Sequence, residues 1–420
     1  MKLSEYFFIA TLALLPFGFT INPASGVDLN IIRIIIPLLF LVWLGESLFS
    51  KKIYIDTRPR FLFLMLFLMI VLFSFFWAPE KQRALRKILF IFSIIPVYLV
   101  SFDLFKKNLS KELVLKIILI TSLIQSIIGI FQFLLQFVIG IDPSLKIWRL
   151  FSSFFLGETF SETVHQYSSW LVNLNGATTL RAFGTFPDPH LFSLFISLSL
   201  PISWYFFQKT KKRVYLFLRA IQLFAILSSF SRSSYLAVAL LLIGFLLTKL
   251  INVVKNKTFN YAHLLAILVL LTIVITPNPL SQRFNSSFNP MEGSNQGRIE
   301  MWEKSLEIIQ LHPWKGAGIG NFSYFIKPSS SLREPIYAHN LFLDFGAETG
   351  LFSLILLLLI FLSPLLTFLI NKKSNTTVLQ IPVILFFVVF FIFSLFETPF
   401  YSISIFPLFL IFLAIPYEKK

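Results

Sequence analysis

The sequence contains no cysteine, which excludes disulfide bonds, thiolate metal sites and a cysteine nucleophile. Charged residues are also scarce, at 13% of the chain, about half the share that is usual in soluble domains. Hydrophobic residues make up 56% of the 420 positions, and phenylalanine alone occurs 53 times. This composition argues against soluble domains and favours a helical bundle in lipid, with phenylalanine as lipid-facing and helix-packing bulk.

Twelve apolar segments are long enough to be membrane-spanning helices, because a ~30 Å hydrocarbon core requires roughly 20 helical residues. We therefore predict an all-α integral membrane protein, a polytopic bundle of about twelve transmembrane helices forming a single membrane domain over residues 1–420. The first segment resembles a signal peptide, but Glu5, Pro16 and the absence of a small-residue cleavage site favour a retained helix. The segments lie at about 5–20, 29–49, 61–77, 87–105, 113–139, 188–208, 214–230, 233–250, 261–276, 340–370, 378–396 and 401–416.

Lysine and arginine, which give the chain a net charge of +16, are concentrated in alternate loops. The positive-inside rule places these loops, and both termini, in the cytoplasm. We therefore assign the charge to orientation and to contact with anionic lipid headgroups rather than to nucleic acid. The stretch 78–86, with Lys81, Arg83 and Arg86, is an exception on the predicted outer side. The basic loops lie at 51–60, 106–116, 209–213, 249–257, 372–373 and 419–420.

Two long connections, at 140–187 and 277–339, fall on the predicted outer side, where long structured loops tend to carry function. In the first loop, the apolar and aromatic segment Leu145–Phe155 is suited to the membrane interface. In the second, the spacing of apolar residues predicts a helix over Gln296–Leu311, capped by Ser294 or Asn295 and ended at His312-Pro313.

Three arginines on the predicted outer side are candidate anion contacts. Arg298 is expected in the first turn of the loop helix, where a guanidinium and backbone N–H groups both favour phosphate. Arg232 occupies a tight turn between two spanning helices, and Arg181 precedes another span. Each arginine could instead anchor the protein to headgroups by snorkelling. Gly316–Gly320 resembles a phosphate loop only superficially, because no strand precedes it.

His339 is a candidate general base at the mouth of the following spanning helix, although a capping role is the alternative. Asn340, Asp344 and Glu348 are spaced four residues apart and share one helical stripe, which should face the bundle interior because carboxylates are costly in lipid. No cluster of side chains has metal-ligand spacing, so no metal site is predicted. The other histidines are scattered, at His165, His190, His263 and His312.

These residues belong to four motifs whose order resembles that of the bacterial O-antigen ligase and polymerase family, which shares the Wzy_C region. The motifs are R-x-x-GTF-x-x-P at 181–189, SR-x-x-x-L at 231–236, R-x-x-x-W followed by HPW-x-G-x-G at 298–318, and HN-x9-G at 339–350. The resemblance is best over about 181–355, an O-antigen ligase-related core region. The ligase pattern usually has a glycine where this chain has Ser353.

The resemblance implies a metal-independent, cofactor-free glycosyltransferase of GT-C-like architecture at the periplasmic face of the bacterial inner membrane. The donor would be a glycan on undecaprenyl diphosphate. The acceptor would be lipid A-core for a ligase, or a lipid-linked repeat unit for a polymerase, which could also pair with a chain-length regulator. The implied site residues are Arg232 and Arg298 as a diphosphate clamp, Arg181 as a third anion contact, His339 as base, and Asn340, Asp344 and Glu348 as supporting residues.

Two hypotheses from other classes remain open. A polysaccharide or lipid-linked glycan transporter (a flippase) predicts inverted repeats and broken helices with polar residues near the membrane midplane. The apolar segments in this sequence are mostly unbroken, and their polar residues cluster at the outer ends. A purely structural membrane protein is the other hypothesis, and it leaves the loop motifs unexplained.

Overall fold

A computed structural model gives the arrangement of the chain. It describes residues 2–24, 26–166, 169–174, 176–256, 279–286, 289, 291–330, 334, 336–371 and 379–416. The predicted span at 261–276 and the basic loops at 372–373 and 419–420 lie outside the described residues.

The described residues are mostly helical, in agreement with the predicted fold class, and they form eighteen α-helices. In chain order these are α1 Leu3–Leu14, α2 Ile32–Ser50, α3 Pro59–Phe73, α4 Lys81–Ile94, α5 Pro96–Lys106, α6 Lys111–Ile139, α7 Ile141–Leu156, α8 Glu158–Gln166, α9 Pro189–Thr210, α10 Val214–Ser228, α11 Arg232–Asn256, α12 Pro279–Ser286, α13 Gly293–Leu311, α14 Phe322–Ile326, α15 Leu341–Thr349, α16 Leu351–Asn371, α17 Gln380–Ser394 and α18 Phe406–Ala414.

Six of these helical segments are long and apolar enough to cross a membrane, and shorter apolar helices accompany them. The total of twelve spans therefore stays a prediction. The spanning segments are Ile32–Ser50, Pro59–Trp77, Lys81–Lys106, Lys111–Ile139, Pro189–Thr210 and Leu351–Leu369, and the shorter ones are Leu3–Phe17, Val214–Ser228, Arg232–Gly244 and Gln380–Ser394.

The predicted continuous span at 340–370 is wrong in one respect, because the structure divides it into α15 and α16 at Gly350. Gly350 has a φ of +84°, which side chains other than glycine rarely adopt. A Cβ atom there would lie 2.2 Å from the carbonyl oxygen of Trp314. The break thus lets the end of α15 pack directly on the backbone that follows α13.

Two short antiparallel hairpins add strands to the predicted all-helical fold. Strands β1 (Thr20–Ala24) and β2 (Val27–Asn30) form the first, and β3 (Leu171–Leu174) and β4 (Ala177–Leu180) form the second. The sequence Asn175-Gly176 between β3 and β4 is a typical hairpin-turn signature that hydropathy alone does not detect.

Phenylalanine packs helices together inside the bundle and also occupies exposed positions, and the lipid-facing role of the exposed rings stays a prediction. In α16, α17 and α18 the rings pack on one another inside the bundle, with Phe386 stacked on Phe412 at 3.8 Å between centroids and Phe361 at 4.9 Å from Phe409. Elsewhere the rings face outwards, as for Phe49 at the end of α2, which is 93% exposed.

A chain segment without helix or strand, at 181–188, runs inside the bundle between β4 and α9. Backbone N–H and C=O groups in a water-free interior must find protein partners. Three buried glutamines on one face of α6, spaced seven and four residues apart, supply many of them. Gln125 accepts from Thr185 N, Gln132 accepts from Phe183 N and Gly184 N and donates to Gly184 O, and Gln136 bonds both backbone groups of Leu180, all at 2.7 to 3.2 Å.

We expect Gln132→Leu to destabilise the protein by about 3 kcal/mol or more, because three buried backbone groups lose their partner. Thermal unfolding of the purified protein in detergent measures this as a lower midpoint. The matched control is Gln82→Leu, which removes an exposed glutamine from α4. Equal midpoints for the two variants would contradict the proposed role of the amide.

Candidate functional site

Helix α13 carries Arg298, and it begins earlier than predicted, at Gly293 instead of Gln296. The cap is Glu292, whose side chain accepts from the backbone N–H of Asn295, so the prediction of Ser294 or Asn295 as the cap is wrong. Arg298 consequently lies in the second turn, and its guanidinium does not share the helix terminus as expected.

The R-x-x-x-W spacing has a structural reason. Arg298 and Trp302 are four residues apart and therefore lie on one face of α13. Trp302 Nε1 donates to the carbonyl of Ala338 at 2.9 Å, and Arg298 Nη2 pairs with Glu397 Oε1 at 2.6 Å. Glu397 Oε2 lies 3.3 Å from His339 Nδ1. One face of α13 thus holds both the backbone before His339 and the carboxylate that contacts its ring.

His339 occupies a strained position, with a φ of +50°, which non-glycine residues seldom adopt and which is concentrated at functional sites. Asn340 directly after it caps α15, accepting from the N–H groups of Phe342 and Leu343 and donating to Leu395 O. The cap and its link to the end of α17 fix the backbone on which His339 stands, and the ring remains 32% exposed.

Glu397 is the centre of the cluster, since its carboxylate contacts three side chains from separate segments. Besides Arg298 and His339, it lies 3.5 Å from Nδ1 of His190, in the first turn of α9. Burial by itself raises the pKa of the Glu397 carboxyl, but the charges of His190 and Arg298, together with the His339 contact, outweigh burial and lower the pKa well below its usual range. Glu397 is therefore a carboxylate at neutral pH.

Arg232 is the first residue of α11, and its guanidinium contacts residues at the start of α13, the helix that carries Arg298. Its Nη1 pairs with Glu292 Oε2 at 3.1 Å, and its Nη2 donates to Ser294 Oγ at 3.0 Å. Arg283 of α12 approaches the other oxygen of Glu292 at 3.5 Å. Two cationic side chains therefore converge on the carboxylate that caps the Arg298 helix.

Arg181 is buried, at 3% exposure, just after β4. Its Nε donates to Ser229 O at 2.7 Å and its Nη1 to Ser169 O at 3.0 Å, whereas Nη2 has no hydrogen-bond partner among the described residues. Burial, and to a smaller extent the positive charge of Arg283, lowers the pKa of the Arg181 guanidinium to about 9. This buried cation would favour the approach of an anion.

Asp344 and Glu348 are buried on α15, as their spacing predicted. Asp344 accepts from the N–H of Ala338 at 2.7 Å and from the hydroxyl of Thr398, so it links the residues before His339 and after Glu397. Glu348 pairs with Lys87 of α4 at 2.6 Å. These contacts hold α15 against α4 and against the two segments that carry His339 and Glu397.

The glycines of HPW-x-G-x-G also serve the packing of α15. Gly316 has a φ of +65°, and a Cβ there would lie 2.4 Å from the backbone of Glu348. Ala317 N and Gly318 N donate to the carbonyls of Ala347 and Glu348, both at 2.8 Å. The motif therefore docks the chain after α13 onto the end of α15.

The sequence prediction missed Glu397, His190 and Arg283. Glu397 had a visible signal, because it is the sole carboxylate in the apolar sequence between Glu348 and Glu418. His190 was treated as one of several scattered histidines, and its proximity to Glu397 depends on the packing of α9 against α17. Within the described ranges, no group of three or more His, Asp or Glu side chains is arranged to hold a metal ion.

The lowered pKa of Glu397 makes a prediction about stability and pH. A carboxylate with a depressed pKa contributes stability above its ordinary value of 4.5, and this contribution is lost as the pH falls further. We expect the wild type to unfold at higher temperature than Glu397→Gln at pH 6, with the difference shrinking below about pH 4.5. Glu307→Gln, at an exposed position of α13, is the control. A difference that persists unchanged to pH 3.5 would contradict the assignment.

Comparison with known families agrees with the motifs. Residues 217–358, about a third of the chain, match the model of a family described as O-antigen ligase. No curated protein sequence matches the chain. The matched region runs from α10 into α16 and contains Arg232, Arg298 and His339, whereas Arg181 and Glu397 lie outside it. The match confirms the resemblance: the chain is a multi-pass membrane protein with a region, residues 217–358, that is similar to the O-antigen ligase family.

Proposed function

We propose that the protein is a membrane glycosyltransferase that moves a glycan from undecaprenyl diphosphate to an acceptor hydroxyl at the periplasmic face of the bacterial inner membrane. The observation that carries this proposal is the meeting of Arg298 and His339 on the carboxylate of Glu397. A phosphate-binding cation and a proton acceptor are thereby held side by side, as glycosyl transfer from a diphosphate requires.

The arginines supply the charge that the leaving group needs. When the glycosidic bond breaks, negative charge develops on the diphosphate, and preorganised cations stabilise it most effectively where water is excluded. Arg298 and Arg232 are the proposed clamp, with Arg181 as a third contact, and the nearby Arg283 adds to the positive field. Because Glu397 occupies one edge of the Arg298 guanidinium, a phosphate would bind at the remaining N–H groups or displace this carboxylate.

His339 is the proposed general base, and Glu397 positions it. A carboxylate that accepts from Nδ1–H leaves Nε2 unprotonated, so that this nitrogen can take a proton from the acceptor. The acceptor oxygen then bonds the anomeric carbon while the bond from that carbon to the diphosphate oxygen breaks. The electron pair leaves with the diphosphate, the proton moves to Nε2, and direct displacement inverts the anomeric centre. Asn340, Asp344 and Glu348 hold the backbone around His339.

A lipid-linked glycan transporter is the second candidate. The interruptions at Ile95, between α4 and α5, and at Gly350 favour it, since broken helices are common in transporters. Ligase and polymerase activities remain alternatives within the glycosyltransferase proposal, because lipid A-core and a lipid-linked repeat unit both present hydroxyl groups.

The residue roles are tested by glycan transfer in vitro with the purified chain and an undecaprenyl-diphosphate glycan. We expect His339→Ala to lower the rate by about 10²- to 10⁴-fold and Arg298→Ala by about 10²- to 10³-fold. Arg298→Lys should recover little, because an ammonium lacks the bidentate fork. His312→Ala, at an exposed histidine after α13, is the control. Wild-type rates for both His339→Ala and Arg298→Ala would refute the assignments.

The acceptor is tested by offering lipid A-core and a lipid-linked repeat unit in parallel reactions. We expect transfer to one of them, which separates ligase from polymerase. A proteoliposome assay in the same preparation measures translocation of the donor. Translocation without transfer to either acceptor would favour the transporter.

A further inference from the structure

A polar cavity, of about 330 Å³, lies at the other end of the bundle from His339. It is formed where the start of α1 meets the ends of α2 and α5. The segment α4–α5 connects the two places, since Lys87 contacts Glu348 beneath the candidate site and Lys107 lines the cavity. Lys87 and Lys107 are twenty positions apart along the apolar segment Lys81–Lys106 and the residue after it, and a helical rise over twenty positions is roughly 30 Å, about the thickness of the hydrocarbon core. The cavity therefore opens at the face that the basic loops predict to be cytoplasmic.

Asp103 forms the floor of the cavity, and groups of the protein itself already occupy its carboxylate oxygens. Asp103 is fully buried and accepts from Trp43 Nε1 at 2.7 Å and from Tyr54 N at 2.8 Å. Lys107 pairs with it at 2.6 Å and also reaches Ser47 Oγ at 3.2 Å. This network holds α2 and α5 together and gives the cavity a fixed polar base.

The two other acids of the cavity have local partners. Glu46 accepts from the backbone N–H of Ser4 at 3.1 Å and from its hydroxyl at 2.5 Å. Glu5 accepts from the backbone N–H of Lys2 at 3.2 Å. Neither of them neutralises an ammonium group through a salt bridge in the described part of the chain.

Three further lysines line the cavity and keep their charge available. Lys2, Lys52 and Lys106 are exposed, and none of them forms an ion pair with a carboxylate among the described residues. The Lys52 ammonium lies 5.3 Å from the ring centre of Tyr54, at the rim. With Lys107, four lysines face three acids, so the lining has a net charge of +1. It is matched by a ligand with one negative charge, as in a phosphodiester.

Several apolar side chains that neighbour the lining residues in the chain are exposed. Leu48 and Phe49 at the end of α2 are 63% and 93% exposed, and Leu3 and Tyr6 of α1 are 56% and 58% exposed. A soluble anion gains nothing from such a surface, whereas acyl chains attached to a bound headgroup would cover it. Aromatic and lysine side chains together are typical of the membrane interface.

We propose that this cavity binds the headgroup of a singly charged anionic phospholipid, of the phosphatidylglycerol type, from the cytoplasmic leaflet. Lys2, Lys52 and Lys106 contact the phosphodiester, and Glu5 and Glu46 offer acceptor oxygens to the glycerol hydroxyls. The acyl chains lie along Leu48 and Phe49. This site is independent of glycan transfer and lies at the other end of the bundle.

Native mass spectrometry of the full chain in detergent, titrated with phosphatidylglycerol, tests the proposal. We expect one tight site in the wild type. The double variant Lys52→Gln/Lys106→Gln should weaken it by roughly fivefold per lysine, about twenty-five-fold for the pair. The matched control is Lys116→Gln/Lys212→Gln, which removes the same charge at exposed positions that do not line the cavity.

Three further results decide between headgroup binding and other sources of affinity. Weaker binding of phosphatidylcholine, and no competition from sn-glycerol 3-phosphate or inorganic phosphate at equal concentration, support the lipid. Equal competition by inorganic phosphate would show a site for a soluble anion and overturn the proposal. Equal loss in the control pair would show nonspecific charge attraction and overturn it as well. Each variant's thermal midpoint verifies that it is folded.

Discussion

The arrangement of the candidate site depends on one buried carboxylate, that of Glu397. It receives Arg298 from α13, His339 from the turn before α15 and His190 from α9, which are distant in sequence. A buried charge is costly unless it is paired, so any packing that separates these segments leaves Glu397 uncompensated. The electrostatic requirement of this residue therefore selects the relative positions of three helices. The geometry of the candidate site follows from that selection.

Backbone constraints act in the same direction. Gly316 and Gly350 let the chain after α13 and the end of α15 approach to backbone contact, and Trp302 ties α13 to the residue before His339. Arg298 and His339 are thus positioned by main-chain packing as well as by Glu397. The motifs at 298–318 and 339–350 are separate in the sequence, but they form one packed unit in the structure.

Hydropathy predicted the membrane class, because a water-free core imposes a length and composition on every helix that crosses it. The motifs predicted which arginines and which histidine to consider. Neither singled out Glu397. Its isolated carboxylate is visible in the sequence, but its importance arises from contacts with segments that are distant in sequence. The division at Gly350 was not identified from hydropathy either, because a hydropathy profile averages over a window of residues and does not resolve a break at a single position. The three glutamines of α6 can be recognised in the sequence by their seven- and four-residue spacing. The burial of their partner, the segment 181–188, cannot be recognised there.

The distribution of charge has a physical explanation once the contacts are known. On the predicted outer side, Arg298 and Arg232 are held by carboxylates, and Arg83, in the stretch that departed from the positive-inside pattern, donates to Ser323 and Ser330. At the opposite end, Lys2, Lys52 and Lys106 have no carboxylate partner among the described residues. Guanidinium groups are suited to fixed, multidentate contacts, whereas ammonium groups remain hydrated point charges. The arginines near the candidate site are therefore held in fixed contacts, whereas these three lysines remain exposed, as the proposed lipid site requires.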